Sequence, residues 1–236
     1  MTFTNQMDEF ISFANILADE SAKVIMEYFR QTLTIENKDD DTPVTIADKK
    51  SELKIRELIN KAYPSHGILA EEFDNTNLDS EYIWVIDPID GTRSFIAGHK
   101  DFGTLIALLY KKKPVLGIIN CPAHQERWVG IYNQPTTLNN NIIRTSKIQK
   151  LKDSYAFTSG LYFEDKIFRT GFDKVIDKTK HHRFGGDCYM YGMLASGLID
   201  IVISFAWGVG TSIFFCSHST SEIATLHLQP LSLIHI

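Results

Sequence analysis

Apolar positions recur at helical spacing near the start of the chain. Phe10, Phe13, Ala14, Leu17, Ala18, Ile25 and Tyr28 predict one amphipathic helix over residues 7–30. The polar stretch TIENKDDDTP (34–43) ends in proline and reads as a loop. Helical periodicity resumes over Ile46–Tyr63, through Leu53, Leu58 and Ile59, and stops at Pro64 and Gly67. GILAEEF is strand-like, and Tyr82–Ile86 suits a buried strand that Pro88 and Gly91 should break. Two apolar runs, Thr104–Tyr110 and Val115–Asn120, flank the segment KKKP and predict an antiparallel hairpin, with Arg127–Tyr132 as a third strand. Residues 133–148 are polar and loop-like. Beyond them, Tyr155–Ser159 reads as a strand and Phe163–Ile176 as a helix. After Gly185 and Gly186, CYMYGMLASGLID is helical, and Ile201–Ile203 is a short strand. Meander strands followed by alternation predict an α+β domain with α/β/α/β/α layers.

Composition narrows the function classes. The 236 residues are 44% hydrophobic and 22% charged, which excludes a disordered, collagen-like or disulfide-dense chain. A net charge of −5 gives no basic footprint for nucleic acid. Three cysteines, Cys121, Cys188 and Cys216, form no CxxC pair, so a reduced, cytoplasmic chain is expected. Neither a signal-peptide pattern nor a membrane-spanning apolar stretch occurs, so no membrane partner is expected. Charge is unevenly spread. Ser204–Ile236 carries one charged residue, Glu222, in 33 positions, whereas the preceding 203 carry 52. Two segments are expected: a body at 1–203 and an atypical tail at 204–236, either a buried C-terminal element or out-of-frame or read-through sequence.

Candidate chemistry is acidic. Asp48 closes DTPVTIAD, Glu71 and Glu72 follow a strand, and Asp87 and Asp90 flank Pro–Ile in DPIDGT. Carboxylates gathered at strand ends beside a Pro/Gly turn make a site for a hard cation, and Mg²⁺ prefers oxygen ligands. The carbonyl of Ile89 would add another oxygen. Two or more such ions suit phosphoryl hydrolysis. Thr92 is placed to orient a water, and Gly91 frees the backbone to approach a phosphate. The bland alternative, that turns favour Asp and Gly, applies to each residue taken singly. The histidines form no metal-spaced cluster: His181 and His182 should face opposite sides of a strand, and His99 and His124 should be solvated in turns. Cys121 and Cys188 should pack rather than react, and Lys111–Pro114 reads as a charged hairpin turn.

DTPVTIAD, the Glu pair of ILAEEF, and WVIDPIDGTRSF resemble the inositol monophosphatase family of Mg²⁺-dependent phosphomonoesterases. DGTRSFIAG, FGTLIALL, PVLGIINCP, QERWVG and FGGDCYMYGMLASGLIDIV are most similar to its histidinol-phosphatase branch. The resemblance spans roughly residues 8–203. It implies the layered fold, a homodimer, and two or three Mg²⁺ ions. Glu71, Asp87 and the Ile89 carbonyl would hold the first ion, and Asp87 and Asp90 would share a second. Glu71, Thr92 and Asp48 would be catalytic, with Thr92 and Asp48 activating the attacking water. Gly91 and Thr92 would bind phosphate oxygens, and Lys38 would close over the site from its loop. Gly185, Gly186 and Asp187 match the loop that meets the alcohol part of a small phosphate ester. A carboxylate at Asp187 suits the cationic histidinol phosphate, although Asp also favours a helix N-cap. Inositol monophosphate or another small phosphate ester is the alternative substrate, and a catalytically impaired metal-binding protein the alternative role. The family continues past the short strand with an aromatic–Asp pair that supplies a ligand of the second ion. Here the chain reads IVISFAWGVGTSIFF, and no Asp follows Asp200. The C-terminal part of the fold is therefore expected to be truncated or replaced, with the second ion held less well and a sheet edge exposed.

Overall fold

A computed structural model describes residues 3–32, 35–37, 43–160 and 166–203. Helix α1 (Phe3–Tyr28) is followed by a small antiparallel pair, β1 (Ile35–Asn37) and β2 (Pro43–Thr45), and by α2 (Ile46–Ala62). Next come β3 (Gly67–Ala70), β4 (Tyr82–Asp90), the short helix α3 (Thr92–Ile96), β5 (Gly103–Tyr110), β6 (Lys113–Cys121) and β7 (Glu126–Ile131). Two-residue strands β8 (Thr137–Leu138) and β9 (Asn141–Ile142) complete a seven-stranded sheet in sequential order. Only β3 and β4 run parallel in it; every later pair is antiparallel. The remaining elements are β10 (Tyr155–Thr158), α4 (Lys166–Ile176), β11 (His181–Phe184), α5 (Asp187–Ala195) and β12 (Ile201–Val202). Strands β11, β10 and β12 form a second, parallel sheet.

Burial explains the layering. The period of two along β4 sends Trp84 and Ile86 to one face, where Phe10, Ala14 and Leu17 of α1 and Ile55 and Ile59 of α2 cover them. Ile83 and Val85 face the other way, toward Cys188 and Ala195 of α5. Both faces are dry, so β4 and β5 read as continuous apolar runs rather than as alternation. Helix α5 is apolar all round because its far side carries Met190 and Leu194 against Phe157 of β10 and Val202 of β12. Ala156 of β10 points to Phe172 and Ile176 of α4. The order α1/α2, large sheet, α5, small sheet, α4 is the expected α/β/α/β/α stack. Gly192 makes the α5–sheet contact possible: a Cβ there would stand 2.5 Å from Trp128 Cε2.

Three expectations change. Residues 34–43 hold β1 and β2 rather than a plain loop. The stretch 133–148 contains β8 and β9, turned by Asn139 and Asn140 at φ 47° and 66°. Asparagine tolerates that left-handed region, so the Asn-rich turn was the readable signal. Finally, β4 runs through Pro88 to Asp90, because a register shift between Asp87 and Asp90 removes the need for a ladder N–H at the proline. The Lys111–Lys112 hairpin forms as expected, with both lysines at positive φ. Lys38 and the tail 204–236 lie outside the described residues. Among those described, no helix is long and apolar enough to cross a membrane.

Candidate active site

Five carboxylates stand at the ends of four elements, α2, β3, β4 and α5. Asp48 is the third residue of α2 and part of a capping box, its Oδ2 accepting from Thr45 N (2.9 Å) and Thr45 Oγ1 (2.6 Å). Its other oxygen, Oδ1, lies 3.4 Å from Thr92 Oγ1. The Thr92 hydroxyl is 3.0 Å from the carbonyl of Ile89, so it sits between the acid and that carbonyl. Asp87 follows the buried run Ile83–Ile86 of β4, and its carboxyl is hydrogen-bonded to that of Glu71, which follows β3. Asp90 follows one turn later and meets Asp187 electrostatically.

The electrostatics record how costly this gathering is. Burial, then the charges of Glu71 and Asp90, holds the Asp87 carboxyl well above the ordinary range. Burial and Asp187 push Asp90 up to about 7. Asp48 is also raised, by burial first, against the lowering effect of its Thr45 hydrogen bonds. Asp87 Oδ1 is buried with no hydrogen-bond partner. An orphaned carboxylate oxygen among other carboxylates, beside the Ile89 carbonyl, is the donor chemistry a hard divalent cation takes. Among the described residues, no three His, Cys, Asp or Glu side chains already converge tightly enough to hold an ion. Glu71, Asp87, Asp90 and the Ile89 carbonyl fit a metal by donor type.

Gly91 turns the chain from β4 into α3 at φ 87°, a region that L side chains seldom adopt. A Cβ on it would stand 2.9 Å from Asp187 Cβ. The Gly185–Gly186–Asp187 turn, at φ 97°, 113° and 37°, therefore packs directly on the DGT turn. Asp187 does not cap α5. It is the first helical residue, the cap position is Gly186 with no side-chain bond, and the Asp187 carboxylate instead accepts from Ser94 Oγ at 2.5 Å. The expectation that His124 is solvated also fails. His124 Nε2 stands 2.8 Å from Asp101 Oδ1, and the ring stacks on Tyr189 at 4.1 Å. His99 is largely exposed, 3.4 Å from the other Asp101 oxygen. Cys121 and Cys188 pack as free, buried thiols with sulfurs 4.0 Å apart.

Sequence reasoning missed Glu52. Its carboxylate has no exposed surface, and it holds the Glu71 turn in place by accepting from Glu72 N (2.7 Å), Phe73 N (3.2 Å) and Arg56 Nε (2.7 Å). The i,i+4 pair Glu52–Arg56 was the only local sign of it.

Residues 6–212 match the profile of the inositol monophosphatase family. This chain belongs to that family. The bifunctional phosphatase IMPL2, chloroplastic, of Arabidopsis thaliana is 44% identical over 200 residues, covering 84% of this chain and 58% of that protein. The chain thus spans somewhat over half the length of that relative. The histidinol-phosphatase of Chlorobaculum parvum is 35% identical over 189 residues, covering 79% of this chain and 73% of the relative. Among solved structures, an inositol monophosphatase from Zymomonas mobilis superimposes with a TM-score of 0.74 at 42% identity, covering 83% of this chain and 76% of that one.

Proposed function

We propose that the chain is a Mg²⁺-dependent phosphomonoesterase that hydrolyses histidinol phosphate to histidinol and phosphate. The observation that carries the hydrolytic part is the orphaned, buried Asp87 oxygen set among Glu71, Asp90 and Asp48, with Thr92 alongside. Family membership and metal dependence across the family support it. Glu71, Asp87, Asp90 and the Ile89 carbonyl would hold the ions. When bound, Mg²⁺ lowers the pKa of water and offsets charge on the phosphate. Thr92, braced between Asp48 and the Ile89 carbonyl, orients the attacking water and passes its proton toward Asp48. A carboxylate with a raised pKa accepts that proton more readily than an ordinary one. Backbone N–H groups at Gly91 and Thr92 hold phosphate oxygens, and Lys38 is assigned to close over them.

Gly185, Gly186 and Asp187 are assigned to the alcohol part of the substrate. Asp187 abuts Gly91, whereas Asp48 reaches Thr92. A carboxylate there favours an ammonium or imidazolium group over an inositol ring. The histidinol-phosphatase of Chlorobaculum parvum supports this choice by its name. Phosphate release from histidinol phosphate, inositol 1-phosphate and a nucleotide 3′-phosphate in Mg²⁺ tests it. The cationic ester should turn over fastest, and no release from any of the three overturns the enzyme reading.

A homodimer is the proposed assembly, checked by sedimentation equilibrium. We further assign residues 1–203 to the phosphatase body and 204–236 to a separate tail of foreign composition. An aromatic–Asp codon pair in another reading frame beyond Ile203 would support that division, and its absence from all frames would count against it.

A further inference from the structure

We propose that Ser94 is a positioning residue for substrate selection: it fixes the Asp187 carboxylate against the alcohol part of a cationic phosphate ester. The inference rests on the assignment of Asp187 made above. Helix α3 is five residues long, and its two hydroxyls serve opposite ends of the site. Thr92 faces Asp48 and the Ile89 carbonyl, while Ser94, two residues on, reaches across 93 positions of sequence to Asp187.

Three observations give Ser94 that task rather than a purely structural one. Its hydroxyl donates to Asp187 Oδ2 at 2.5 Å, directly fixing that oxygen. Asp187 itself stands at φ 37°, where a non-glycine residue is uncommon, so its direction is specified by contacts rather than by backbone preference. The neighbouring acid, Asp101, is already engaged by His124 and His99, which leaves Asp187 as the carboxylate with an oxygen to offer. A hydroxyl donating to one carboxylate oxygen locks the rotamer and leaves the second to meet an ammonium or imidazolium.

The test compares kcat and KM for histidinol phosphate and for the uncharged-alcohol ester glycerol 2-phosphate, with the full chain in Mg²⁺. Ser94→Ala should raise KM for histidinol phosphate about tenfold, the scale of one charge-assisted hydrogen bond. Its kcat should hold, as should both constants for glycerol 2-phosphate. Ser94→Thr should restore the KM. In an Asp187→Asn background, Ser94→Ala should add nothing. If Ser94→Ala loses its thermal transition, Ser94→Cys carries the same comparison. Equal shifts for both esters, or a full Ser94 effect in the Asp187→Asn background, overturn the proposal and leave Asp187 standing. If Asp187→Asn fails to change the preference between the esters, or the chain has no such preference, the reading beneath it falls first.

Discussion

Removing the Glu52 carboxylate should loosen the candidate metal site without touching it. In Glu52→Ala the Arg56 side chain, 11% exposed, loses its carboxylate partner and keeps the Phe73 carbonyl at 3.0 Å, and the amides of Glu72 and Phe73 lose their acceptor. Breaking a buried ion pair by deleting one member costs about 3–5 kcal/mol. The two amides belong to a partly exposed turn that water can reach, so they add little beyond it. An estimate of about 4 kcal/mol, with a urea m-value near the upper end of roughly 1–3 kcal/mol/M for small proteins, lowers the unfolding midpoint by about 1.5 M. Glu52→Gln keeps an acceptor oxygen and should cost about 1–2 kcal/mol. The assay is urea unfolding followed by tryptophan fluorescence, since Trp84 and Trp128 are both buried. A Mg²⁺ titration by calorimetry, run on folded Glu52→Gln, should also show weaker binding, because Glu71 adjoins the loosened turn. A midpoint for Glu52→Ala within about 0.2 M of the parent would refute the reasoning.

Other perturbations test separate parts of the argument. Gly192→Ala drives a Cβ into the Trp128 ring at 2.5 Å and should lower the thermal midpoint by about 5 °C, an overpacking cost of roughly 1–3 kcal/mol. Asp87→Asn removes a buried charge from among its own kind, so the metal-free chain should gain stability while Mg²⁺-dependent phosphate release is lost; unchanged release would remove Asp87 from the site. Thr92→Ala should cut kcat about a hundredfold or more with little change in KM, the scale of a lost general acid–base contact. His66 gives a pH signature. Burial lowers its pKa, and its Nδ1 must stay unprotonated to accept from Trp84 Nε1 at 3.1 Å. The unfolded chain therefore takes up the proton first as pH falls below about 6.5, so His66 contributes a decline in stability there, opposite in sign to the gain from the acids with raised pKa values. Urea midpoints measured between pH 7.5 and 5 should fall less, or rise more, toward acid in His66→Gln than in the parent, and an identical pH dependence would exclude a His66 contribution.

The elements with strong periodicity were readable because tertiary packing reinforces the local pattern. Helices α1 and α2 and the β5–β6 hairpin bury the faces their spacing announces. The failures have a common physical form. Pro88 looked like a strand end, but a register shift let β4 continue, and a shift depends on the partner strand β5 rather than on local sequence. His124 looked solvated because Asp101 and Tyr189, which hold it, come from distant segments. The alternative role of Asp187 as a helix cap is excluded only by its contact with Ser94, 93 residues away. In the site itself, the acidic residue types were legible from DPIDGT and ILAEEF, but the second tier was not. Neither the Glu52 brace nor the Ser94 contact leaves a motif.

Where the carboxylates stand explains why a cation would stabilise this candidate site. Asp48 and Asp187 lie in the first turns of α2 and α5, where the helix dipole favours negative charge by about 0.3–1 kcal/mol, less than one pKa unit. Both nonetheless have raised pKa values, with burial the leading cause. The dipoles, the Thr45 hydrogen bonds and the Ser94 contact together are too weak to offset desolvation plus the mutual repulsion that Asp87 and Asp90 also report. No rearrangement of these acids among themselves removes that cost. It falls only when protons or a cation enter, and at neutral pH a divalent ion supplies more charge than the protons the acids retain. A chain selected for stability alone would place apolar groups here. Keeping five acids at the ends of α2, β3, β4 and α5 makes sense for a protein whose working state would include the ion.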